Sequence, residues 1–180
     1  MGGLTERKDP LGLLQAVARL RATHPEVRVA FVGDGPLAAS IAPAARHLGI
    51  PAGHVIRAGA LPHPQVARWV AAADVLSMVS RVEPLGVVAL EALAAGRPVV
   101  ATAVGGAREV VPARGPGRIV DPGNPARHAA AMAELLDHPP TPDACRGVAV
   151  GGAVEHQAAR VEAVLARAAA TRAAGSLRRQ

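Results

Sequence analysis

The sequence predicts an α/β domain built on a doubly wound parallel sheet. Strand-like and helix-like segments alternate over residues 1–140 at the spacing of βα units. The strand-like segments are continuous apolar runs, which is typical of strands covered by helices on both faces. Half of the 180 residues are hydrophobic but the aromatic residues are only Phe31 and Trp69, so Val, Leu, Ile and Ala must fill the core.

Five strands and six helices are predicted in residues 1–140. The strands are residues 27–32, 54–58, 74–80, 98–102 and 118–120, and the helices are residues 10–23, 36–48, 64–73, 85–95, 107–111 and 125–136. Several helices have Pro in the first turn, including Pro36 and Pro84, because its missing N–H costs no hydrogen bond there. The first strong element is a helix, so we expect the first strand to be largely missing. A proline-rich breaker then separates a helical tail, residues 141–180, with a helix at about 152–174.

The net charge of +6 lies mostly in that tail. Residues 145–180 contain six Arg and two Glu, which leaves only +2 for the preceding 144 residues. A nucleic-acid-binding protein would carry its basic stripe on the folded body. The charge therefore indicates a solvated tail, and no nucleic-acid partner is expected.

Several classes of protein are excluded by what the sequence lacks. No apolar run approaches the roughly 18 to 20 residues of a membrane-spanning helix, and residues 1–8 have no secretory signal pattern. Cys145 is the one cysteine, so internal disulfides and a Cys-based zinc site are excluded. The seven His show no metal-ligand spacing. We therefore expect a cytoplasmic protein without a bound metal.

Gly33 and Gly35 follow a predicted strand in a Gly-x-Gly-x-x-Ala pattern. In dinucleotide-binding domains, such glycines let a pyrophosphate approach a helix N-terminus. The carboxylate expected about 20 residues later is absent, and Arg57 offers only a strained NADP interpretation. A tight turn is the simpler interpretation.

A second segment, residues 80–96, places polar groups at the start of an apolar helix. Glu83 lies in the turn after a predicted strand, Pro84 is expected to start the helix, and Gly86 exposes its first N–H groups, which suits an anion or hydroxyl ligand. Glu91 is the only charge in that helix. We expect it to be buried with a specific polar partner, either a ligand or a neighbouring loop backbone.

Two further features are unusual for this chain. Lys8 is its one lysine among nineteen arginines, and lysine supplies a compact point charge that arginine does not reproduce. Gly105 and Gly106 follow another predicted strand, where they allow close backbone approach to a ligand or to another loop.

Taken in order, these segments resemble the C-terminal, nucleotide-sugar-binding half of GT-B-fold glycosyltransferases, most closely glycosyltransferase family 4. The resemblance covers about residues 2–140 and implies a Rossmann-like domain. The matching segments are Gly2-Gly3-Leu4, Lys8-Asp9, Gly33-Asp34-Gly35-Pro36, Ala73-Asp74, Glu83 to Glu91, Ala95-Gly96-Arg97-Pro98 and Gly105-Gly106 to Glu109.

The resemblance implies a role for each candidate residue. Lys8 would neutralise the diphosphate of a UDP-, GDP- or ADP-sugar donor, Glu83 would face the sugar near the reacting carbon, and Glu91 would bind the ribose. The remaining candidates are the backbone of Leu85, Gly86 and Val87 for the sugar or phosphate, of Arg57 and Gly59 for the base, and the glycine loop of Gly33 and Gly35.

The sequence departs from the family pattern at two positions and in its extent. Gly3 stands where the family has an Arg that contacts the diphosphate, and Val79 stands where it has Pro. The resemblance implies a retaining glycosyltransferase, present here as its donor-binding half and working with a separate N-terminal half that binds the acceptor. Any membrane contact would come only from that half. The alternative is a non-catalytic remnant or nucleotide-sugar-binding module.

Overall fold

A computed structural model describes residues 1–151, in which helices and strands alternate as an α/β domain. The strands are β1 (Val29–Val32), β2 (Val55–Gly59), β3 (Leu76–Met78), β4 (Val99–Thr102) and β5 (Gly117–Val120). The helices are α1 (Pro10–Leu20), α2 (Ala38–His47), α3 (His63–Ala72), α4 (Val87–Ala94), α5 (Ala107–Val110), α6 (Pro125–Asp137) and α7 (Pro142–Gly151). The predicted fold class is confirmed, because each of the five predicted strands is present and every strand pair is parallel.

The strands form two parallel sheets. The first has the order β1-β2 and the second β3-β4-β5, with β4 in the centre of its sheet and buried along its whole length. The segment Gly2–Leu4 runs beside the end of β1: Gly2 N–H donates to Val32 O and Leu4 N–H donates to Asp34 O, both at 2.9 Å. This spacing is that of a parallel ladder. Residues 2–4 therefore pair with the end of β1 on the edge opposite β2.

Helices α1 and α6 pack together over β1 and β4, and α4 packs against β3, β4 and α7. Two clusters of buried residues result. The first surrounds Leu14, Ile41 and Leu135, and the second surrounds Leu93 and Val99. Both consist of aliphatic side chains apart from Phe31 and the sulfur-containing residues, as the composition predicts.

Two predicted helix starts are wrong. Helix α2 begins at Ala38 rather than Pro36, and α4 begins at Val87 rather than near Pro84. At α4 the reason is Gly86, whose φ of 82° lies in the left-handed region and ends the helix on its N-terminal side. Helix α1 starts where predicted, at Pro10, because the Asp9 carboxylate caps it by accepting from Gly12 N–H at 3.1 Å.

Helix α7 lies in the predicted helical tail, residues 141–180, but before the helix predicted at about 152–174. It packs against α4 and buries Cys145 completely as a free thiol. Helix α7 contains few large apolar residues, so the sequence does not indicate its contact with α4. One small buried face is enough to anchor the helix. The predicted helix at 152–174 lies outside the described residues, and the domain boundary at residue 140 stays a prediction.

His128 on α6 is almost completely buried, and its Nε2 shares a hydrogen bond of 2.6 Å with Ser77 Oγ. Its Nδ1 has no hydrogen-bond partner among residues 1–151. Burial disfavours the charged imidazolium and lowers the pKa of His128 to about 4.

We expect the domain to lose stability on mild acidification because of His128. The unfolded chain binds a proton there below about pH 6.5, whereas the folded chain does not until about pH 4, so stability falls between these values. The loss from pH 7.5 to pH 5 should be about 2 kcal/mol, measured by urea unfolding. His128→Gln should remove it, and His47→Gln, on the exposed end of α2, should not. If the free energy of unfolding fell equally with pH in His128→Gln and in the parent, His128 would not be the cause of the loss.

Candidate functional site

The carboxylate of Glu83 is the centre of the candidate site. Glu83 follows β3 in the turn before α4 and is buried. Its Oε2 accepts from Lys8 Nζ at 2.5 Å and from Ser80 Oγ at 3.2 Å, and its Oε1 accepts from Gly86 N–H at 3.2 Å. Three donors therefore satisfy a carboxylate that would otherwise be costly to bury.

Lys8 reaches Glu83 across 75 positions of sequence because the loop before α1 and the loop after β3 are bound to each other. Arg81 N–H donates to Arg7 O at 2.7 Å, and Arg81 Nε donates to Asp9 Oδ2 at 3.1 Å. About a third of the Lys8 side chain is exposed, whereas Glu83 is not. Lys8 therefore offers its charge to the solvent side of the pair.

Glu83 is held in its ionised form. Burial favours the neutral acid and would raise its pKa, but the hydrogen bond and charge of Lys8, together with the bonds from Ser80 and Gly86, outweigh burial and hold the pKa of Glu83 below its ordinary value. At neutral pH the site thus presents an anion that accepts hydrogen bonds beside a cation.

Gly105 and Gly106 approach another loop, which is one of the two alternatives that the sequence left open. Gly106 N–H lies 3.2 Å from both Glu83 O and Pro84 O. A Cβ on Gly105 would lie 1.8 Å from Glu83 O, and Gly105 has a φ of 49°. The two glycines therefore let the loop after β4 support the backbone that carries Glu83.

The three residues at the start of α4 that the sequence predicts to bind a ligand through their backbone are Leu85, Gly86 and Val87. Gly86 N–H already donates to Glu83, so it is not free as predicted. Leu85 and Val87 are exposed, each with about half of its surface open to solvent, and with Val82 they form an apolar rim beside Glu83. Val87 opens the first turn of α4, where helix N–H groups lack partners within the helix.

The prediction that Glu91 is buried is wrong, although it does have a specific polar partner. About a third of its side chain is exposed, and its Oε1 lies 3.0 Å from Nε2 of His63 on α3, which is itself largely exposed. The other residues of α4 are apolar where the helix contacts the sheet and α7. Glu91, the single charge of α4, lies on the side of the helix that faces α3, where it is partly open to solvent.

The other predicted binding residues lie along β1 and β2. A Cβ on Gly33 would lie 1.9 Å from Gly2 O, and one on Gly35 would lie 2.7 Å from Leu4 O. The close approach predicted at these glycines is thus made by the backbone of residues 2–4 of the chain itself. Arg57 is exposed on β2, and Gly59, where an added Cβ would meet no atom within 4 Å, ends that strand.

The small cavity at the Lys8–Glu83 pair, about 40 Å³, is also lined by Gly3. A larger cavity of about 510 Å³ lies elsewhere, at the first turns of α1 and α6. Its charged lining residues are Glu6, Asp9, Arg81 and Asp121. Three carboxylates against one guanidinium disfavour an anionic ligand there, so the Lys8–Glu83 pair is the better anion site despite its smaller volume.

Within the described part of the chain, no group of three or more His, Cys, Asp or Glu side chains is arranged to hold a metal ion. Over the same residues, no helix combines the length and apolarity needed to cross a membrane. The predicted cytoplasmic location stays a prediction.

Comparison with known proteins decides the family. The family model for glycosyl transferases group 1 matches residues 1–149. The chain belongs to this family. The finer assignment to glycosyltransferase family 4 stays a prediction.

Curated relatives are similar over most of this chain but are much longer. D-inositol 3-phosphate glycosyltransferase 1 of Catenulispora acidiphila is 38% identical over 167 residues, which is 87% of this chain and 38% of that protein. GDP-mannose-dependent alpha-(1-6)-phosphatidylinositol monomannoside mannosyltransferase of Mycolicibacterium smegmatis is 36% identical over 86% of this chain and 41% of its own length. The chain spans about two fifths of these relatives.

Solved structures confirm the GT-B-type fold of this domain. HepE of Anabaena in complex with UDP-glucose superposes with a TM-score of 0.72 at 26% identity, over 83% of this chain and 42% of that one. The C-terminal domain of a group 1 family protein, LpcC of Francisella tularensis, gives a TM-score of 0.70 at 20% identity, over 83% and 77% of the two chains.

Sequence reasoning missed several residues that build the site. Ser80 and Thr102 act together, since Ser80 Oγ donates to Glu83 and Thr102 Oγ1 donates to Ser80 O at 2.5 Å. A hydroxyl at the end of a strand is a weak signal by itself. His63 was missed as a partner of Glu91, because the contact spans 28 positions and has no local signature.

Gly105→Ala should destabilise the domain far more than Gly115→Ala. Both glycines have positive φ, 49° and 69°, but only at Gly105 would the new Cβ collide with backbone. We expect an additional loss of about 1 to 3 kcal/mol at Gly105 in urea unfolding. Equal losses for the two variants would show that the loop contact with Glu83 does not constrain the site.

Proposed function

We propose that this chain is the donor-binding half of a retaining glycosyltransferase, which binds a nucleoside diphosphate sugar at the Lys8–Glu83 pair without a metal ion. The observation that carries the proposal is the pair itself. It joins the one lysine of the chain to a buried, ionised carboxylate beside the start of α4, in a chain that belongs to the group 1 glycosyl transferases.

The diphosphate would bind to Lys8 and to the first turn of α4. Lys8 Nζ has three donor hydrogens and, among residues 1–151, one partner in Glu83, so it can contact a phosphate without leaving the carboxylate. The N–H group of Val87 and the positive end of the α4 helix dipole add to the positive electrostatic field that Lys8 produces. These groups would stabilise the negative charge that develops on the leaving diphosphate.

Glu83 would face the donor sugar. Its carboxylate is fixed by Lys8, Ser80 and Gly86, so it accepts hydrogen bonds from sugar hydroxyl groups without paying to become ordered. An ionised group at this position also favours the positive charge that develops at the reacting carbon. Retention of configuration is part of this proposal.

Glu91 would bind the ribose hydroxyl groups, and the backbone near Arg57 and Gly59 would hold the base. Glu91 is accessible, which suits a group that accepts from a ribose diol. His63 is its present partner at 3.0 Å, so ribose binding would share or displace that contact. The similar proteins include HepE in complex with UDP-glucose and a GDP-mannose-dependent mannosyltransferase, which supports a nucleoside diphosphate sugar as the donor class.

An N-terminal half would bind the acceptor. The curated relatives are more than twice as long as the part that this chain matches, which leaves room for such a half. The exposed rim of Val82, Leu85 and Val87 beside Glu83 supplies an apolar surface for it.

The isolated chain should bind nucleoside diphosphates weakly in EDTA, and Gly3→Arg should strengthen binding. Gly3 lines the same cavity as Lys8 and Glu83 and stands where the family has Arg, so the variant restores a second cation. A charge-assisted contact is worth roughly 1.5 to 3 kcal/mol, which predicts about ten- to a hundredfold tighter binding. Calorimetry with UDP, GDP and ADP would measure it.

Gly53→Arg is the matched control, because it adds the same charge before β2, at the other end of the strands. Neither glycine has a positive φ, and a Cβ at either position meets no atom closer than 3.6 Å. Lys8→Met should abolish binding. Equal gains in Gly3→Arg and Gly53→Arg, or full affinity in Lys8→Met, would contradict the assigned site. The absence of binding to all three nucleotides by a folded chain would favour the non-catalytic remnant.

The chain alone should transfer no sugar, and transfer should require an added N-terminal half from a relative. Catalysis needs donor and acceptor held at bonding distance, and the proposed donor half holds only the first. A donor-turnover assay with and without that half measures this. Robust transfer to an acceptor by the 180-residue chain alone would refute the half-enzyme proposal.

A further inference from the structure

Both neighbours of Lys8 in the chain are bound by one residue, Arg81, of the loop that carries Glu83. Arg81 N–H donates at 2.7 Å to the carbonyl oxygen of Arg7, which precedes Lys8. Arg81 Nε donates at 3.1 Å to Oδ2 of Asp9, which follows Lys8. The backbone of Lys8 is therefore fixed relative to the carboxylate that its side chain reaches.

Asp9 has an unusual backbone conformation. Its φ of 45° is the one positive φ of a non-glycine residue among residues 1–151. The left-handed region is unfavourable for a residue with a Cβ, so a residue stays there only when its surroundings hold it. Two contacts hold Asp9, because Oδ1 accepts from Gly12 N–H at 3.1 Å and Oδ2 accepts from Arg81. Rotation about this φ would turn Lys8 relative to α1.

The Asp9–Arg81 pair gives the domain little stability. About two thirds of the Arg81 side chain is exposed, and exposed ion pairs are weakened by water and by the ordering of long side chains. The pair nevertheless joins loops that are 72 positions apart in the sequence. Its main effect is therefore on the geometry of the segment that contains Lys8.

Lys8 needs such support because its side chain is flexible. Lysine carries its charge on a flexible stem, and about a third of the Lys8 side chain is exposed. The bond to Glu83 holds Nζ only while the backbone of Lys8 keeps its direction. Without the contact between Arg81 and Asp9, that direction would be fixed on one side of Lys8 only.

We propose that Asp9 and Arg81 are positioning residues of the donor site, which keep Lys8 Nζ where it contacts a diphosphate. The inference rests on the function proposed for the Lys8–Glu83 pair. Both residues act through Lys8 and neither contacts the nucleotide. A ligand that binds to an ordered lysine does not have to immobilise it, so the Asp9–Arg81 pair raises affinity without adding a contact.

Two variants that change the charge in opposite directions test this. Arg81→Gln removes a positive charge, Asp9→Asn removes a negative one, and each breaks the ion pair. The Asn side chain can still cap α1 and tolerates a positive φ. Positioning predicts that both variants bind the diphosphate about two- to tenfold more weakly, whereas charge alone predicts tighter binding by Asp9→Asn.

Calorimetry in EDTA with whichever of UDP, GDP or ADP binds most tightly measures these affinities. The matching nucleoside, which has no phosphate, should bind equally to the parent and both variants. Arg7→Gln is the matched control, because it removes the same charge beside Lys8 but leaves the main-chain oxygen that accepts from Arg81. It should weaken binding less than Arg81→Gln.

Lys8 can also be observed directly, because it is the one lysine of the chain. With isotope-labelled lysine, the full chain gives a single side-chain ammonium signal in NMR spectra. The bond to Glu83 should slow the exchange of these hydrogens with water. Arg81→Gln and Asp9→Asn should speed the exchange about threefold or more, and Arg7→Gln should leave it unchanged.

An unchanged Lys8 signal in both variants, or tighter diphosphate binding by Asp9→Asn, would overturn the proposal. Far-UV circular dichroism of each variant shows that it is folded. The NMR measurement involves no nucleotide, so it separates this proposal from the proposed function. If the parent bound none of the three nucleotides, the proposed function would fail, and the Lys8 signal would still decide whether the Asp9–Arg81 pair positions that side chain.

Discussion

The burial of one carboxylate, that of Glu83, organises the functional edge of this domain. A buried carboxylate is stable only when it is paired and hydrogen-bonded, and its donors come from three places: Lys8 before α1, Ser80 at the end of β3 and Gly86 at the start of α4. Gly106 then supports its backbone from the loop after β4. Because of this network the group is ionised at neutral pH, and the proposed chemistry depends on that charge.

Much of the fold could be predicted from the sequence because parallel strands covered on both faces are locally apolar. Strand β4 is fully buried and matches its predicted segment closely. The position of α7 within the predicted helical tail could not be predicted, because it is set by the packing of α7 against α4. The sequence likewise does not predict that β1 and β3 belong to separate sheets. Which strands pair depends on tertiary contacts and not on the composition of either strand.

The candidate site was predicted in part. Lys8 and Glu83 were singled out from the residue pattern and their roles came from the family resemblance, and the structure brings the two side chains into contact. Glu91 was expected to be buried, but about a third of its side chain is exposed beside His63, because the neighbours of a helix face are set by tertiary packing. Gly105 and Gly106 allow close approach of either a ligand or another loop, and only the structure shows that a loop takes this place.

The proposed donor site is tested most directly by a crystal structure of the chain with whichever of UDP, GDP or ADP binds most tightly, grown in EDTA. We expect the diphosphate within hydrogen-bond distance of Lys8 Nζ and of the first turn of α4, with Glu83 still held by Ser80 and Gly86. A nucleotide bound instead in the cavity at the first turns of α1 and α6, with the Lys8–Glu83 pair untouched, would contradict it.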